Sequence, residues 1–277
     1  KNDNLLFMIA KIFISLLRIS PKFQRAMWKW WYQRLAKRAT DSGWTFMNYG
    51  YISLNDNSSI DLKSEDESNR LFIQLYDYAL SQIPLENKKV LEVGSGRGGG
   101  ASFIARYYNP KLMTGLDYSR SAIELSNKIY NNVSNLKFVK GDAENLPFDD
   151  NTFDAVINVE SSHCYGNMKS FLNEVCRVLK KGGHFSWVDL RGKDMIKDTE
   201  SVFAELDLKC IHEQTITSEV IEALDGIHER KMEMIKLHVP KFMQPAFKDF
   251  AGVKNSKIYN AFNDGSAVYL AKAFQKS

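Results

Sequence analysis

One stretch constrains the fold of this chain more than any other: Val90-Leu91-Glu92-Val93-Gly94-Ser95-Gly96-Arg97-Gly98-Gly99-Gly100. An apolar run of strand length enters glycines at 94, 96 and 98. Such a turn lets the backbone reverse tightly and approach a ligand more closely than any Cβ would allow. The residues after it form a helix through Arg106.

The pattern that follows alternates between the period of strands and that of helices. Strands are predicted at Val90–Val93, Leu112–Leu116, Leu136–Lys140, Ala155–Val159 and Gly183–Asp189. Helices are predicted at 69–83, Ser119–Tyr130 and Lys169–Leu179. Strands separated by helices imply a parallel, doubly wound sheet with its ligand at the carboxyl ends of the strands. Beyond residue 190, strands near Leu206–Thr215 and Ala267–Phe274 and helices over roughly 217–236 and 240–250 complete a Rossmann-like α/β domain. It has seven strands, mostly parallel, preceded by N-terminal helices. The expected division is 1–40 for basic amphipathic helices, 41–86 for an aromatic connector and lid, and 87–277 for the catalytic domain.

The glycines at 94, 96 and 99 also satisfy a dinucleotide fingerprint, so the loop alone leaves an NAD-linked oxidoreductase open. Glu92 separates the readings. A carboxylate beside a pyrophosphate would be repelled, whereas S-adenosylmethionine carries ammonium and sulfonium charges and no phosphate, so an acid here favours the sulfonium cofactor. Asp117 ends the second strand, where it can accept from both ribose hydroxyls, with Tyr118 beside it. After the third strand, Asp142 is placed to accept from the adenine amino group and the Ala143 amide to donate to a ring nitrogen. Glu92, Gly94, Gly96, Gly98, Asp117, Tyr118, Asp142 and Ala143 are therefore the candidate cofactor residues. Asp154 reads as a structural acid and Asp149-Asp150 as a solvated turn.

Charge argues against nucleic acid. Residues 1–40 hold nine Lys/Arg against Asp3, leaving 28 basic against 32 acidic residues elsewhere, so the catalytic part has no basic surplus. In the N-terminal segment, Leu5, Ile9, Ile12, Phe13, Leu16 and Leu17 fall on one helical face and Lys11, Arg18, Lys22, Arg25 and Lys29 on the other. Lys11 and Arg18 interrupt the apolar run, so it is a poor membrane span, and no secretory cleavage site follows it. Together with Trp28, Trp30 and Trp31, residues 5–38 suit peripheral contact with an anionic membrane, or else cover the domain's own apolar surface. Cys164, Cys176 and Cys210 match neither a disulfide framework nor a zinc site and read as reduced thiols of a cytoplasmic protein. No metal is expected.

The ordered series Glu92 to Gly100, Asp117, Gly141-Asp142-Ala143-Glu144, Phe153-Asp154-Ala155-Val156-Ile157 and Val178-Leu179-Lys180-Lys181-Gly182-Gly183 resembles the class I methyltransferases. Within them, Trp28-Lys29-Trp30-Trp31-Tyr32, Phe46-Met47-Asn48-Tyr49-Gly50-Tyr51, Ser68-Asn69-Arg70, Gly98-Gly99-Gly100-Ala101-Ser102, Gly141 to Asp150 and Asn158-Val159-Glu160-Ser161-Ser162-His163-Cys164-Tyr165 are similar to the phthiotriolone and phenolphthiotriolone dimycocerosate O-methyltransferases. The same stretches resemble their relatives acting on mycophenolic acid and rifamycin-type products. The resemblance spans about 25–275. It implies methyl transfer from S-adenosylmethionine to a hydroxyl of a small lipophilic acceptor; C-methylation is the alternative, and a binding module without turnover the non-enzymatic one.

His163, just past the fourth strand, is the candidate base, since a neutral imidazole with an ordinary pKa of about 6.5 suits proton removal. Glu160 is the candidate orienting residue. Tyr51 and Trp44 are expected to close over the cofactor and acceptor. His184, His212, His228 and His238 read as surface or packing residues.

Overall fold

Val90, Leu91 and Val93 are fully buried. They serve different layers: Val90 packs with Ile73, Phe103 and Ile104 on one face of the sheet, while Leu91 and Val93 pack with Phe171, Val175 and Phe185 on the other. A strand covered on both sides needs a continuous apolar run rather than alternation, which is the reason for its composition. The computed structural model, which describes residues 45–55 and 60–277, extends this arrangement across seven strands.

In chain order the elements are α1 (Arg70–Leu80), β1 (Lys89–Val93), α2 (Gly99–Tyr107), β2 (Leu112–Asp117), α3 (Arg120–Ile129), β3 (Leu136–Lys140), β4 (Phe153–Val159), α4 (Met168–Val178) and β5 (Leu179–Gly192). There follow α5 (Ile196–Ala204), β6 (Leu208–Thr215), α6 (Thr217–Gly226), α7 (His228–His238), α8 (Gln244–Ala251), α9 (Lys257–Asn263) and β7 (Ala267–Lys276). The sheet order is β3-β2-β1-β4-β5-β7-β6. All neighbours from β3 to β5 are parallel, and β7 runs antiparallel to both β5 and β6. Local signals set several boundaries. Ser119 accepts from the Ala122 amide and Asn167 from the Ser170 amide, so α3 and α4 each begin on a side-chain cap.

Three departures from expectation have physical causes. The helix predicted over 217–236 is two helices, broken at Gly226-Ile227; an added Cβ at Gly226 would lie 3.1 Å from Leu71 Cδ1, so the small residue lets the chain pass close to α1. Helix α9 is only seven residues long, too short to show a period, and rests on the Ser256 cap. Strand β5 runs to Gly192, three residues past the expected end, because β7 pairs with it as far as Ala267. The predicted N-terminal helices of residues 1–40 lie outside the described residues. Among the described residues, no helix is long and apolar enough to cross a membrane.

The small helices α7 and α8 share a separate cluster built on Ile235, Val239, Phe247, Ala251 and Val253.

Candidate active site

The chain leaves β1 at Val93 and turns through Gly94, Gly96 and Gly98, all at positive φ. At Gly94 a Cβ would stand 2.3 Å from Ser161 Oγ and 2.8 Å from the Tyr165 hydroxyl, so no other residue fits beneath the β4 loop. The turn is then fixed by backbone: the Gly94 and Ser95 amides both donate to Leu116 O, at 2.8 and 2.9 Å. Asp117, at the end of the neighbouring β2, accepts from the Gly96 amide through Oδ2 and the Ser119 amide through Oδ1, each at 2.8 Å. It thus ties the glycine turn to the start of α3. Each carboxylate oxygen keeps a further acceptor site for a ligand hydroxyl. Burial raises its carboxyl above the usual value.

Glu92 lies fully buried on β1, with Oε1 accepting from the Tyr76 hydroxyl at 2.6 Å. Burial pushes its carboxyl up to about 7, against the Tyr76 hydrogen bond and helped by the charge of Asp117. Tyr118 is exposed beside Asp117. Past β3, Asp142 is exposed and accepts from the Glu144 amide at 3.0 Å, while Ala143 is buried. Glu144 in turn accepts from the Gly166 and Asn167 amides, which joins this loop to the start of α4.

A polar cluster that the sequence did not flag lines the other side of the turn. Asn158 donates through Nδ2 to Val93 O at 2.9 Å and lies 2.8 Å from Ser161 Oγ and 3.1 Å from the Tyr165 hydroxyl. Among the described residues, its Oδ1 and the hydroxyl of Ser95 are buried with no hydrogen-bond partner. Buried polar atoms of this kind call for a partner. An acceptor and a hydroxyl beside a glycine cradle suit S-adenosylmethionine, whose amino-acid end brings donors and acceptors.

At the acceptor end the structure corrects one pairing. Glu160 does not hold the His163 ring. Its backbone takes a positive φ of 49° as β4 ends, and its Oε2 accepts from the Tyr49 amide and the Tyr269 hydroxyl, each at 2.7 Å. The ring partner is Asp189 near the end of β5: His163 Nδ1 lies 2.7 Å from Asp189 Oδ1, and the His163 amide donates to Oδ2 at 2.9 Å. Asp189 is fully buried, and it is further held by the Ser162 hydroxyl at 2.5 Å and Arg191 Nη1 at 3.1 Å. Trp187 Nε1 and Arg191 Nη2 both donate to Ser162 Oγ, closing the network. Burial alone would lower the His163 pKa, but the adjacent Asp189 carboxylate lifts it well above the ordinary value. For Asp189, burial is outweighed by His163 and Arg191, which hold its carboxyl well below the usual range.

The expected aromatic cover is also placed differently. Tyr51 is buried with its ring stacked on Tyr78, centroids 4.6 Å apart, and its amide bonded to Leu71 O; Tyr78 reaches Gln214 on β6. What approaches the glycine turn is the preceding strap. A Cβ on Gly99 would lie 2.7 Å from Thr45 O, and one on Gly96 3.7 Å from Met47 Sδ. Trp44 lies outside the described residues. Asp154 is a structural acid, accepting from the Lys89 amide and pairing with Lys180, each at 2.8 Å.

Asp189 carried a readable signal, an acid ending an apolar strand at the ligand edge. Lys231, Tyr269 and Met47 carried none, because the site residues they approach are distant in sequence: Tyr49 for Lys231, Glu160 for Tyr269 and Gly96 for Met47.

Comparison with known proteins identifies the family. The family described as "Methyltransferase domain" matches residues 91–187. The phthiotriol/phenolphthiotriol dimycocerosates methyltransferase of Mycobacterium tuberculosis is 36% identical over 93% of this chain and 94% of its own. A fatty-acid O-methyltransferase of Mycolicibacterium smegmatis is 34% identical over 94% and 93%. Among solved structures, geranyl diphosphate C-methyltransferase from Streptomyces coelicolor, in complex with S-adenosyl-L-homocysteine, superposes with a TM-score of 0.63 at 15% identity, covering 89% of this chain and 98% of that one. A [4+2]-cyclase superposes at 0.67 and 16% identity over 91% and 94%, a reminder that the fold alone does not set the reaction. The chain belongs to the family of S-adenosylmethionine-dependent methyltransferases that includes the phthiotriol/phenolphthiotriol dimycocerosates methyltransferases.

Proposed function

We propose that this enzyme transfers a methyl group to a hydroxyl of a small lipophilic acceptor, with His163 as the base. The observation that carries this reading is the 2.7 Å contact between His163 Nδ1 and Asp189 Oδ1. An ionised carboxylate can only accept, so Nδ1 must carry the proton of this bond and Nε2 is the acceptor nitrogen of the neutral ring. About 30% of the His163 side chain is exposed, whereas Asp189 is sealed behind it. An acceptor hydroxyl set against Nε2 loses its proton to the ring as its oxygen attacks, and Asp189 stabilises the imidazolium that forms. S-adenosylmethionine, when bound, supplies the electrophilic methyl group. Glu92, Gly94, Gly96, Gly98, Asp117, Tyr118, Asp142, Ala143, Ser95 and Asn158 are the residues that would hold it. The lipophilic acceptor is supported by the names of the relatives, which act on dimycocerosates and fatty acids. Membership of the family removes the NAD-linked alternative.

A second reading is favoured by one observation, the raised pKa of His163. An imidazolium at neutral pH would anchor an ionised acceptor, as a carboxylate would be, and no base would then be needed.

Peripheral membrane contact through residues 5–38 belongs to the proposal, supported by the basic surplus of residues 1–40 and the apolar repeat there.

The deciding experiment incubates the enzyme with methyl-deuterated S-adenosylmethionine and a cell lipid extract, followed by mass spectrometry. A labelled product that survives alkaline hydrolysis but loses its methyl to ether cleavage marks a hydroxyl acceptor. A label released by alkali marks a carboxylate, and a label resistant to both marks carbon and overturns the proposal.

A further inference from the structure

We propose that Lys231, on α7, is a positioning residue that locks the strap of residues 45–50 over the glycine turn, and that it does so only while Glu160 is present to balance its charge. Tyr49 is where the two meet. Its amide donates to Glu160 Oε2 at 2.7 Å, its hydroxyl to Phe250 O at 3.1 Å, and Lys231 Nζ lies 5.2 Å from its ring centroid. Lys231 is buried and donates to Ala251 O, the last carbonyl of α8, at 2.9 Å. Its ammonium also lies 5.8 Å from the Phe72 ring.

A buried ammonium has three donors to satisfy, and a single carbonyl with two ring faces replaces little of its lost hydration. Glu160, which holds the amide of the same Tyr49 whose ring faces the ammonium, is the carboxylate whose charge favours it, and Glu160 is itself buried. Burial pulls the Lys231 amine down, opposed by the charge of Glu160, and pushes the Glu160 carboxyl up, opposed by the Tyr269 hydrogen bond, the charge of His163, the Tyr49 amide and the charge of Lys231. Removing Glu160's charge leaves the ammonium uncompensated in a dry site, and removing Lys231 takes one of the two cations that offset the buried carboxylate, so either loss is costly. The way to readmit water is to lift the strap, an irregular segment held otherwise by Asn48 Nδ2 to Phe72 O and by the packing of Phe46 on Phe72 and Tyr76, with Tyr51 N to Leu71 O and Ile52 N to Glu219 O just beyond it. The strap carries Thr45 and Met47 against Gly99 and Gly96, so lifting it uncovers the cofactor turn.

The test follows amide hydrogen exchange at Tyr49, Gly50 and Tyr51 in the full chain, together with the dissociation rate of S-adenosylhomocysteine measured by stopped flow. Lys231→Met should speed exchange at those amides by about tenfold or more and release the nucleoside several times faster, with protection of β1 and β4 unchanged. Glu160→Gln, which keeps its shape and an acceptor for Tyr49, should do the same. The double variant carries no stranded charge and should return both readouts toward wild type. The proposal fails if both single variants stay within twofold of wild type. It fails equally if the double variant is as open as the singles, because Lys231 would then act by packing alone. Should Lys231→Met lose its core protection, the comparison of Glu160→Gln with the double variant decides by the same criterion.

Discussion

Asp189 grips His163 twice, its Oδ1 on the ring nitrogen and its Oδ2 on the backbone amide, so a single buried carboxylate sets both where the residue sits and which way its ring faces.

That double grip has a kinetic signature. His163→Ala should lower the methyl-transfer rate by about 100- to 10,000-fold with little change in cofactor affinity, because the base matters only as oxygen attacks. The wild-type acid limb should fall above pH 6.5, the ordinary value, since Asp189 raises the imidazole pKa. Asp189→Asn should lower the maximal rate and move this limb to lower pH. Single-turnover rates across pH check both. A rate in His163→Ala within about threefold of wild type, with the same limb, excludes the base role and leaves the carboxylate-anchoring reading.

The same pair links stability to pH. A histidine whose folded pKa is raised contributes stability that is fully present below its unfolded value and is lost as pH rises through the folded one. Thermal melts of the wild type should therefore show a decline above neutrality that is smaller in Asp189→Asn.

Asp117→Ala should weaken S-adenosylmethionine binding by more than one hydrogen bond's worth. Each lost bond from a ribose hydroxyl to the carboxylate costs about 1.5–3 kcal/mol, and the variant also frees the Gly96 amide that orders the turn. Isothermal titration should show at least a tenfold weaker dissociation constant. An unchanged constant in a folded variant would remove Asp117 from the site.

Gly100→Ala tests the roof of Glu92. A Cβ there would stand 2.0 to 2.3 Å from the ring and hydroxyl of Tyr76, whose hydroxyl bonds Glu92. Overpacking of this kind costs about 1–3 kcal/mol, so the denaturation midpoint should drop with an unchanged m-value. A variant as stable as wild type would show that Tyr76 moves freely.

Deleting residues 5–38 should abolish sedimentation with anionic liposomes and leave cofactor affinity intact, because the basic surplus and the apolar repeat both reside there. Equal sedimentation with and without the segment assigns it to covering the domain.

The parallel half of the sheet was legible because its strands are buried on both faces and its turns need glycine; Gly94 and Gly98 leave no room for a side chain. Asp117 was legible as an acid closing an apolar strand, and it accepts from the Gly96 amide of the glycine turn. The acid–base partnership was not. Glu160 is three residues from His163 in sequence, but the positive φ at Glu160 turns the chain so that its carboxylate meets Tyr49 and Tyr269. Asp189, 26 residues away, arrives beside the ring because β4 and β5 pair in register, Val159 against Val188. Sequence neighbourhood was a poor guide to spatial neighbourhood there. The break at Gly226 escaped because helical period continues on both sides of it.

Strand β5 gives this chemistry a reading frame. From His184 to Gly192 it is laddered residue for residue onto Gln275 to Ala267, which sets Leu190 opposite Tyr269. Side chains of a strand alternate between faces, so a slip of one residue between β5 and β7 would turn Tyr269 away from Glu160 and send its neighbours Val268 or Leu270 to meet a carboxylate. The short turn from α9 into Ala267 therefore has to deliver β7 in this one register, because the hydroxyl that meets Glu160 depends on it.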